Sequence, residues 1–236
     1  MSTLPDPTRI PRVLAELQEV WEAQPELSFP MLCNVLTNHG MTWGSSDEDL
    51  SRLLTHLASV RPSRIPKDDR GRAQHTYLVE TESPQASVTI SPRKVIVRRH
   101  AGSTHAQPVK WAYSEIRRSS TLGPLHIVDF SGVDHRLGIV RSIRRLEVPD
   151  RVRITGLSRE TIGDRKFLIT TEDAEKILVG RKIEIFHKEE REVKYLSMSW
   201  SRLACAELGK AVKIVPGHEK TAITRGVIAA IDVVEV

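Results

Sequence analysis

One β-rich sequence pattern occurs twice in this chain, and that repeat constrains the fold more than any other feature. The segment GIVRSIRRLEV begins at Gly138 and GVIAAIDVVEV begins at Gly226, 88 residues later. RKVIV at residues 93–97 and RKIEI at residues 181–185 are also 88 residues apart, and two shorter matches lie 84 and 87 residues apart. Matches in a common order at nearly constant spacing predict a duplicated unit, with the length differences in its connections.

Each copy alternates apolar and polar residues over short segments separated by turn signals, which is typical of β-strands. In the second copy, Ile183 and Ile185 are expected to face inward, and EDAEKIL after Thr171 is expected to form a short helix. Such a unit of about 70 residues predicts a small, strongly bent antiparallel barrel, which leaves no open sheet edge. The sequence therefore predicts two tandem barrels, at residues 77–150 and 165–236.

Residues 1–60 predict three amphipathic helices. Apolar residues recur at helical spacing from Ile10 to Trp21 and from Phe29 to Leu36, and a capping box of Ser46 with Asp49 precedes the third helix. MTW at residues 41–43 is a candidate strand, so a winged-helix relative is an alternative to a compact helical domain. The third helix is poor in side chains that read DNA, which favours packing or partner binding.

Residues 61–76 contain prolines and a glycine among charged residues and predict a linker. The fold class is accordingly α+β and multidomain, with a three-helix domain, a linker and two duplicated barrels.

Charge is distributed unevenly along the chain. Residues 1–60 carry a net charge of −5, residues 61–160 of +9 and residues 161–236 of +1. A polyanion should therefore meet this middle part of the chain before any other. The lack of a long apolar run or a secretory signal predicts a cytoplasmic protein without a membrane span. Cys33 and Cys205 lie in apolar sequence, which predicts small buried side chains and argues against a disulfide framework or structural zinc.

Two segments of the second copy resemble the motifs of Sm-like small barrels, a fold close to SH3-like barrels. LVGRKIEIFHKEERE, starting at Leu178, resembles the first motif, and ITRGVIAAIDV, starting at Ile223, resembles the second. The resemblance covers about residues 165–236, and residues 77–148 only through the repeat. It implies an RNA contact at Arg225. The nucleotide-pocket motif of that family is not matched, because WSRLA stands in its place and Tyr195 replaces a glycine.

The first copy contains more arginines than the second, accompanied by aromatic residues. Guanidinium groups donate paired hydrogen bonds to phosphate, and aromatic rings stack on bases. The alternative is a solvated barrel face, with the aromatic residues in the core. The predicted nucleic-acid-binding residues are Arg98, Arg99, Arg117, Arg118, Arg136, Arg141, Arg144, Arg145, Trp111, Tyr113 and Arg225.

Two patterns have the outline of a metal site. Asp150 followed by Glu192-Val193-Lys194 resembles a magnesium-dependent nuclease signature, but the pattern is short and frequent in charged proteins. The segment HIVDFSGVDH, residues 126–135, brings His and Asp together, but turn chemistry explains its acids better. No catalytic residue, metal or cofactor is predicted.

The sequence thus predicts a non-enzymatic nucleic-acid-binding or regulatory protein whose basic first barrel contacts the phosphate backbone. The helical domain is expected to bind a protein partner or a second copy of the chain. The main alternative is a protein-interaction adaptor that uses the barrels as a platform, and a nuclease is the minor one.

Overall fold

A computed structural model describes residues 6–99, 106–189, 192–217 and 221–236. Its first elements are three helices, α1 (Arg9–Glu22), α2 (Phe29–Asn38) and α3 (Asp47–Val60), as predicted. The Asp49 N–H donates to Ser46 Oγ at 3.2 Å and the Ser46 N–H donates to Asp49 Oδ2 at 3.1 Å, which confirms the capping box. The helices pack around a small buried core of Val20, Leu32, Leu36 and Leu54.

The candidate strand at residues 41–43 is wrong. Met41 and Thr42 lie in no regular element, and Trp43 is fully exposed in a turn. The strand that pointed to a winged helix is therefore missing from the described part of the helical domain.

A closed antiparallel barrel follows the helices. Its strands are β1 (Tyr77–Glu82), β2 (Ala86–Ile90), β3 (Lys94–Arg99), β4 (Val109–Arg118), β5 (Pro124–Asp129) and β6 (Asp134–Arg145). Neighbours in sequence are neighbours in the barrel, and β6 pairs with β1 to close it. Side chains such as Val79, Val88, Ile127 and Val140 are completely buried, as expected for a filled small barrel.

The second module contains seven strands. They are β7 (Lys166–Thr171), β8 (Lys176–Val179), β9 (Ile183–Glu189), β10 (Glu192–Met198), β11 (Trp200–Cys205), β12 (Ala211–Pro216) and β13 (Ile223–Glu235). Ile183 and Ile185 are buried, as predicted. The short helix expected after Thr171 is wrong, because a tight turn leads into β8 and Ala174 takes a positive φ of 63°.

The two modules share one strand order. The seven-stranded sheet has the order β10-β9-β8-β7-β13-β12-β11, which matches β4-β3-β2-β1-β6-β5-β4 of the closed barrel if β10 and β11 correspond to two halves of β4. In the first barrel β4 is one strand of ten residues, whereas Ser199 separates its counterparts in the second module.

Individual hydrogen bonds also correspond. Ser114 Oγ donates to the carbonyls of Val128 and Asp129, and Ser201 Oγ, 87 residues later, donates to those of Val215 and Pro216. In each module, the backbone carbonyl directly after the second strand, β2 or β8, accepts a hydrogen bond from a buried aromatic side chain. Tyr113 donates to Ser91 at 2.9 Å, and Trp200 donates to Gly180 at 2.9 Å. These shared positions agree with the duplication predicted from the sequence.

The chain divides into two compact units, with boundaries inside β3 and β4. One contains Met1–Val95 and Trp111–Arg145, and the other contains Ile96–Lys110 and Leu146–Val236. Within the first unit, α3 contacts β6. None of the helices in the part of the chain that the structure describes combines the length and apolar character needed to cross a bilayer.

The predicted linker lies against the first barrel. Lys67 Nζ donates to the carbonyl of Ile116 at 2.9 Å, and the Ala73 N–H donates to the hydroxyl of Tyr113 at 2.9 Å. Ile65 and Ala73 are both buried. Residues 61–76 therefore contribute to the packing of the first unit.

Candidate nucleic-acid interface and a charged cavity

Two of the predicted contact residues are part of the interior. The side chain of Arg98 is only 5% exposed; its guanidinium lies 3.3 Å from Glu235 Oε2 and donates to the Val234 carbonyl at 3.2 Å. Tyr113 is completely buried, and its hydroxyl is engaged on both sides by backbone groups. Contrary to the prediction, neither side chain lies on an open surface, because each one satisfies polar groups of its own unit.

Arg117 and Trp111 are engaged with neighbouring side chains. Arg117 lies 3.0 Å from Glu115 Oε1 and 3.6 Å from Asp134 Oδ2, so its charge is already compensated. Trp111 is half-buried, and its ring centroid lies 5.0 Å from that of His135. Its indole N–H is buried and has no acceptor among the described residues.

Arg118 and Arg136 form the ends of a row that crosses three strands. Arg118 on β4 lies opposite His126 on β5, and His126 lies opposite Arg136 on β6. Directly opposite residues of an antiparallel sheet share one face, so the two arginines lie about 10 Å apart, two strand spacings, on the same side. Both are exposed, and neither makes an ion pair with a residue that the structure describes. His126 is mostly buried, with Nδ1 3.2 Å from Asp134 Oδ2.

Three further arginines lie along β6. Arg141 is exposed and is the extra residue of a β-bulge, because Val140 pairs with Thr81 while Ser142 pairs with Glu80. Arg144 and Arg145 are half-buried. Burial raises the pKa of Tyr77, which faces Arg145, and the charge of that arginine opposes the increase. Arg99 is exposed at the end of β3, next to the undescribed residues 100–105.

The second module shows that the fold does not require these arginines. Its corresponding cross-strand row is Cys205–Lys213–Thr224, with neutral residues where the first barrel has Arg118 and Arg136. Its β13 contains the same bulge, with Ala229 where β6 has Arg141. Since the same chain path forms without the three guanidinium groups, their presence in the first barrel needs an explanation other than folding.

The side chains of HIVDFSGVDH, one of the two patterns considered as metal sites, hold a turn together. Asp129 Oδ1 accepts from the N–H groups of Ser131 and Val133 at 2.8 and 3.1 Å, while its Oδ2 lies 2.9 Å from His135 Nε2. These contacts confirm the turn explanation of HIVDFSGVDH. Among the described residues, no three His, Cys, Asp or Glu side chains come together as metal ligands. Both cysteines are free and half-buried, slightly more exposed than predicted.

The residues of the nuclease pattern do not form one site. Asp150 lines one cavity of the second unit and Lys194 lines another. The side chain of Glu192 lies outside the described part of the structure.

The cavity that Lys194 lines contains the remaining predicted residue, Arg225. It has a volume of about 650 Å³, and its polar lining includes Asp173, Glu175 and His187. Glu175 Oε1 lies 3.7 Å from Arg225 Nη1 and 3.9 Å from His187 Nδ1. Burial raises the pKa of Glu175, and the charge of Arg225 only partly offsets this effect. Sequence reasoning missed Glu175 and His187. The offset of 88 residues places Glu175 opposite the polar Ser87, so the repeat alone gave no signal at this position.

Comparisons with protein-family models, curated proteins and solved structures give no match for this chain. The closed six-stranded antiparallel barrel is consistent with a small-barrel fold, which is the part of the Sm-like resemblance that the structure supports.

Proposed function

We propose that this protein binds nucleic acid through phosphate contacts made by Arg118, Arg136 and Arg141 of the first barrel. The observation that carries the proposal is the exposed row of Arg118 and Arg136 on one sheet face, at positions where the second module has neutral residues. Guanidinium groups without an intramolecular partner keep their donors available for phosphate oxygens. The net charge of +9 over residues 61–160 attracts a polyanion to the same part of the chain.

The proposed binding depends mainly on the phosphate backbone and little on base identity. Of the two aromatic residues predicted as contacts, Tyr113 is a core residue and Trp111 is half-buried against His135, while Phe130 in the turn between β5 and β6 is 70% exposed. The arginines of the proposed contact act on phosphate oxygens and do not depend on stacking. Phosphate contacts fix the position of a nucleic acid without reading its sequence. We therefore expect probes of different sequence to bind with similar affinity, among single strands and among duplexes alike.

The test is fluorescence anisotropy with labelled oligonucleotides over a series of salt concentrations. The variant is Arg118→Gln, Arg136→Gln and Arg141→Gln combined, which keeps a polar side chain at each position and removes the charge. Each lost phosphate contact should reduce the slope of log K against log salt by about 0.9, and should weaken binding about eightfold at ~0.1 M salt. A matched control removes the same charge from exposed positions of the second unit, through Arg159→Gln, Arg202→Gln and Lys213→Gln.

The proposal requires that the first variant loses affinity and slope while the control keeps most of both. Equal salt slopes in the two variants would contradict it, because the effect would then come from net charge alone.

A protein-interaction adaptor is the second candidate, favoured by apolar side chains that the helical domain leaves exposed. Ile10 and Leu14, one turn apart on α1, are more than half exposed, as is Met31 on α2. Exposed apolar side chains that cluster on one element are typical of protein contacts. Wild-type protein that binds no oligonucleotide even at low salt would favour this candidate.

A further inference from the structure

Two residues that line the charged cavity of the second module have equivalent positions in the first barrel, and the residue types at these positions can be compared. Thr171 Oγ1 donates to the carbonyl of Glu175 at 3.1 Å, and Thr81 Oγ1 donates to the carbonyl of Ala86 at 3.3 Å. The main-chain positions of Glu175 and Ala86 therefore correspond. Ala86 is buried, as an apolar residue at this position should be.

Arg225 likewise corresponds to Leu137. Each precedes a glycine whose added Cβ would approach the equivalent threonine Cβ, at 3.1 Å for Gly226 and Thr171 and at 3.2 Å for Gly138 and Thr81. Leu137 is buried. One chain path thus accommodates an alanine–leucine pair in the first barrel and a glutamate–arginine pair in the second.

The glutamate–arginine pair is incompletely satisfied. The side chain of Glu175 is 6% exposed and makes no hydrogen bond to a residue that the structure describes, since its nearest cations are 3.7 and 3.9 Å away. Arg225 Nε is buried and also has no acceptor among the described residues. Burying a carboxylate or a guanidinium donor without a close partner is costly, and apolar residues of similar volume avoid this cost. The first barrel shows that the apolar solution was available to this fold.

Acidic and basic side chains line the cavity in similar numbers. Asp173 and Glu175 supply carboxyl groups, while Lys194 and Arg225 supply cations, and His187 adds an imidazole. A hydrogen bond from the Thr171 hydroxyl lowers the pKa of Asp173, so that carboxyl stays ionised. A simple anion would meet the carboxylates, and a simple cation would meet Arg225 and Lys194. A molecule with both an ammonium and a carboxylate group complements both.

We propose that this cavity binds a free α-amino acid. The ligand ammonium group donates to Glu175 and Asp173, and the ligand carboxylate accepts from Arg225, including the buried Nε–H that has no acceptor among the described residues. Glu175 thereby gains a cation at hydrogen-bonding distance in addition to Arg225 and His187, which lie 3.7 and 3.9 Å away.

The apolar part of the lining favours a ligand with a large apolar side chain. Ile185, Tyr195 and Leu196 line the same cavity, and Tyr195 is held against Phe186 with ring centroids 5.3 Å apart. The volume of about 650 Å³ leaves room for a leucine-sized or phenylalanine-sized molecule with water. This inference is independent of nucleic-acid binding by the first barrel.

The experiment measures the melting temperature and binding heat of the full chain with each of the common L-amino acids in turn. A ligand that binds only the folded protein raises its melting temperature. The best-binding amino acid is then compared with its N-acetyl and amide derivatives, which remove the ammonium and the carboxylate charge respectively. Each derivative should bind at least about tenfold more weakly, because each loses one charge-assisted contact.

The variant combines Glu175→Ala with Arg225→Leu and so restores the residue pair of the first barrel. It should fold, because the first barrel accommodates this pair, and it should lose binding by at least about a hundredfold, the product of two charged contacts. A matched control removes the exposed Glu207–Lys210 ion pair, outside this cavity, through Glu207→Ala and Lys210→Leu, and should bind as the wild type does.

Three results would each overturn the proposal. The first is that no amino acid stabilises the wild-type protein or binds to it. The second is that the Glu175→Ala, Arg225→Leu variant retains wild-type affinity. The third is that both derivatives bind as well as the parent amino acid.

Discussion

Gly138, which begins the repeated segment of the first barrel, is expected to tolerate no side chain. Its φ is +104°, and an added Cβ would lie 2.8 Å from the carbonyl oxygen of Glu82 and 3.0 Å from that of Pro84. Both contacts involve backbone atoms, one at the end of β1 and one in the turn that follows it, so no side-chain rotation relieves them. Gly138→Ala should therefore displace the turn or the start of β6.

The loss of stability in Gly138→Ala has two parts, backbone strain and steric overlap, and the same substitution at Gly132 measures the first part alone. Gly132 has a φ of +83° and open space around the position of a Cβ, so Gly132→Ala reports the backbone strain alone, about 1–2 kcal/mol. The steric contacts at Gly138 should add about 1–3 kcal/mol, the usual range for forcing extra atoms into a packed site. Gly138→Ala should therefore destabilise the protein by about 2–5 kcal/mol.

The assay is urea unfolding followed by far-ultraviolet circular dichroism and tryptophan fluorescence. Coincidence of the two transitions is checked first, because two compact units can unfold separately. If Gly138→Ala lowers the unfolding free energy by no more than Gly132→Ala does, the close approach of β6 to the turn is not what selects glycine here.

Two further predictions concern the ion pairs of the second unit. Arg98→Ala should destabilise the protein by about 2–4 kcal/mol, because it leaves the half-buried carboxylate of Glu235 with only Lys166, 2.8 Å away, as an ion-pair partner among the described residues. It should leave oligonucleotide affinity within about twofold of wild type. Arg118→Ala, at an exposed position, should instead leave the stability nearly unchanged and weaken oligonucleotide binding. If both variants lost stability and affinity to the same extent, the assignment of Arg98 to the interior and Arg118 to the binding surface would be contradicted. Burial alone would raise the pKa of Glu235, but the hydrogen bond and charge of Lys166 and the charge of Arg98 outweigh it and hold this pKa below the ordinary 4.5. The ionised carboxylate of Glu235 therefore stabilises the fold above pH 4.5, and this stabilisation is lost as the pH falls through the lowered pKa. Glu235→Gln should accordingly be clearly less stable than wild type at neutral pH, and the difference should shrink in acid. A stability difference that stays constant in urea unfolding over this pH range would show that the charge of Glu235 is not responsible.

Local patterns were sufficient to predict the three helices, the closed first barrel and the β-strands of the second module, which form a seven-stranded sheet in the same strand order rather than a second closed barrel. Helical periodicity and the Ser46 capping box depend on residues only a few positions apart, so they can be read before any tertiary contact is known. The repeat adds long-range information, because two copies of one pattern imply one chain path used twice. The strand at residues 41–43 and the helix after Thr171 failed for the same reason. Each rested on a few residues, and turn geometry decided those segments.

The candidate sites depended more on tertiary structure. Composition placed the arginines in the first copy, but the pairing register alone brought Arg118 and Arg136 onto one face, and packing alone turned Arg98 inward to Glu235. Glu175 and Arg225 are 50 positions apart in sequence, and only the β7–β8 turn and the start of β13 bring their charges within 4 Å. The sequence by itself determines which elements form, because that depends on neighbours along the chain. Which charges are exposed, paired or buried together depends on neighbours in space, and the tertiary structure decides it.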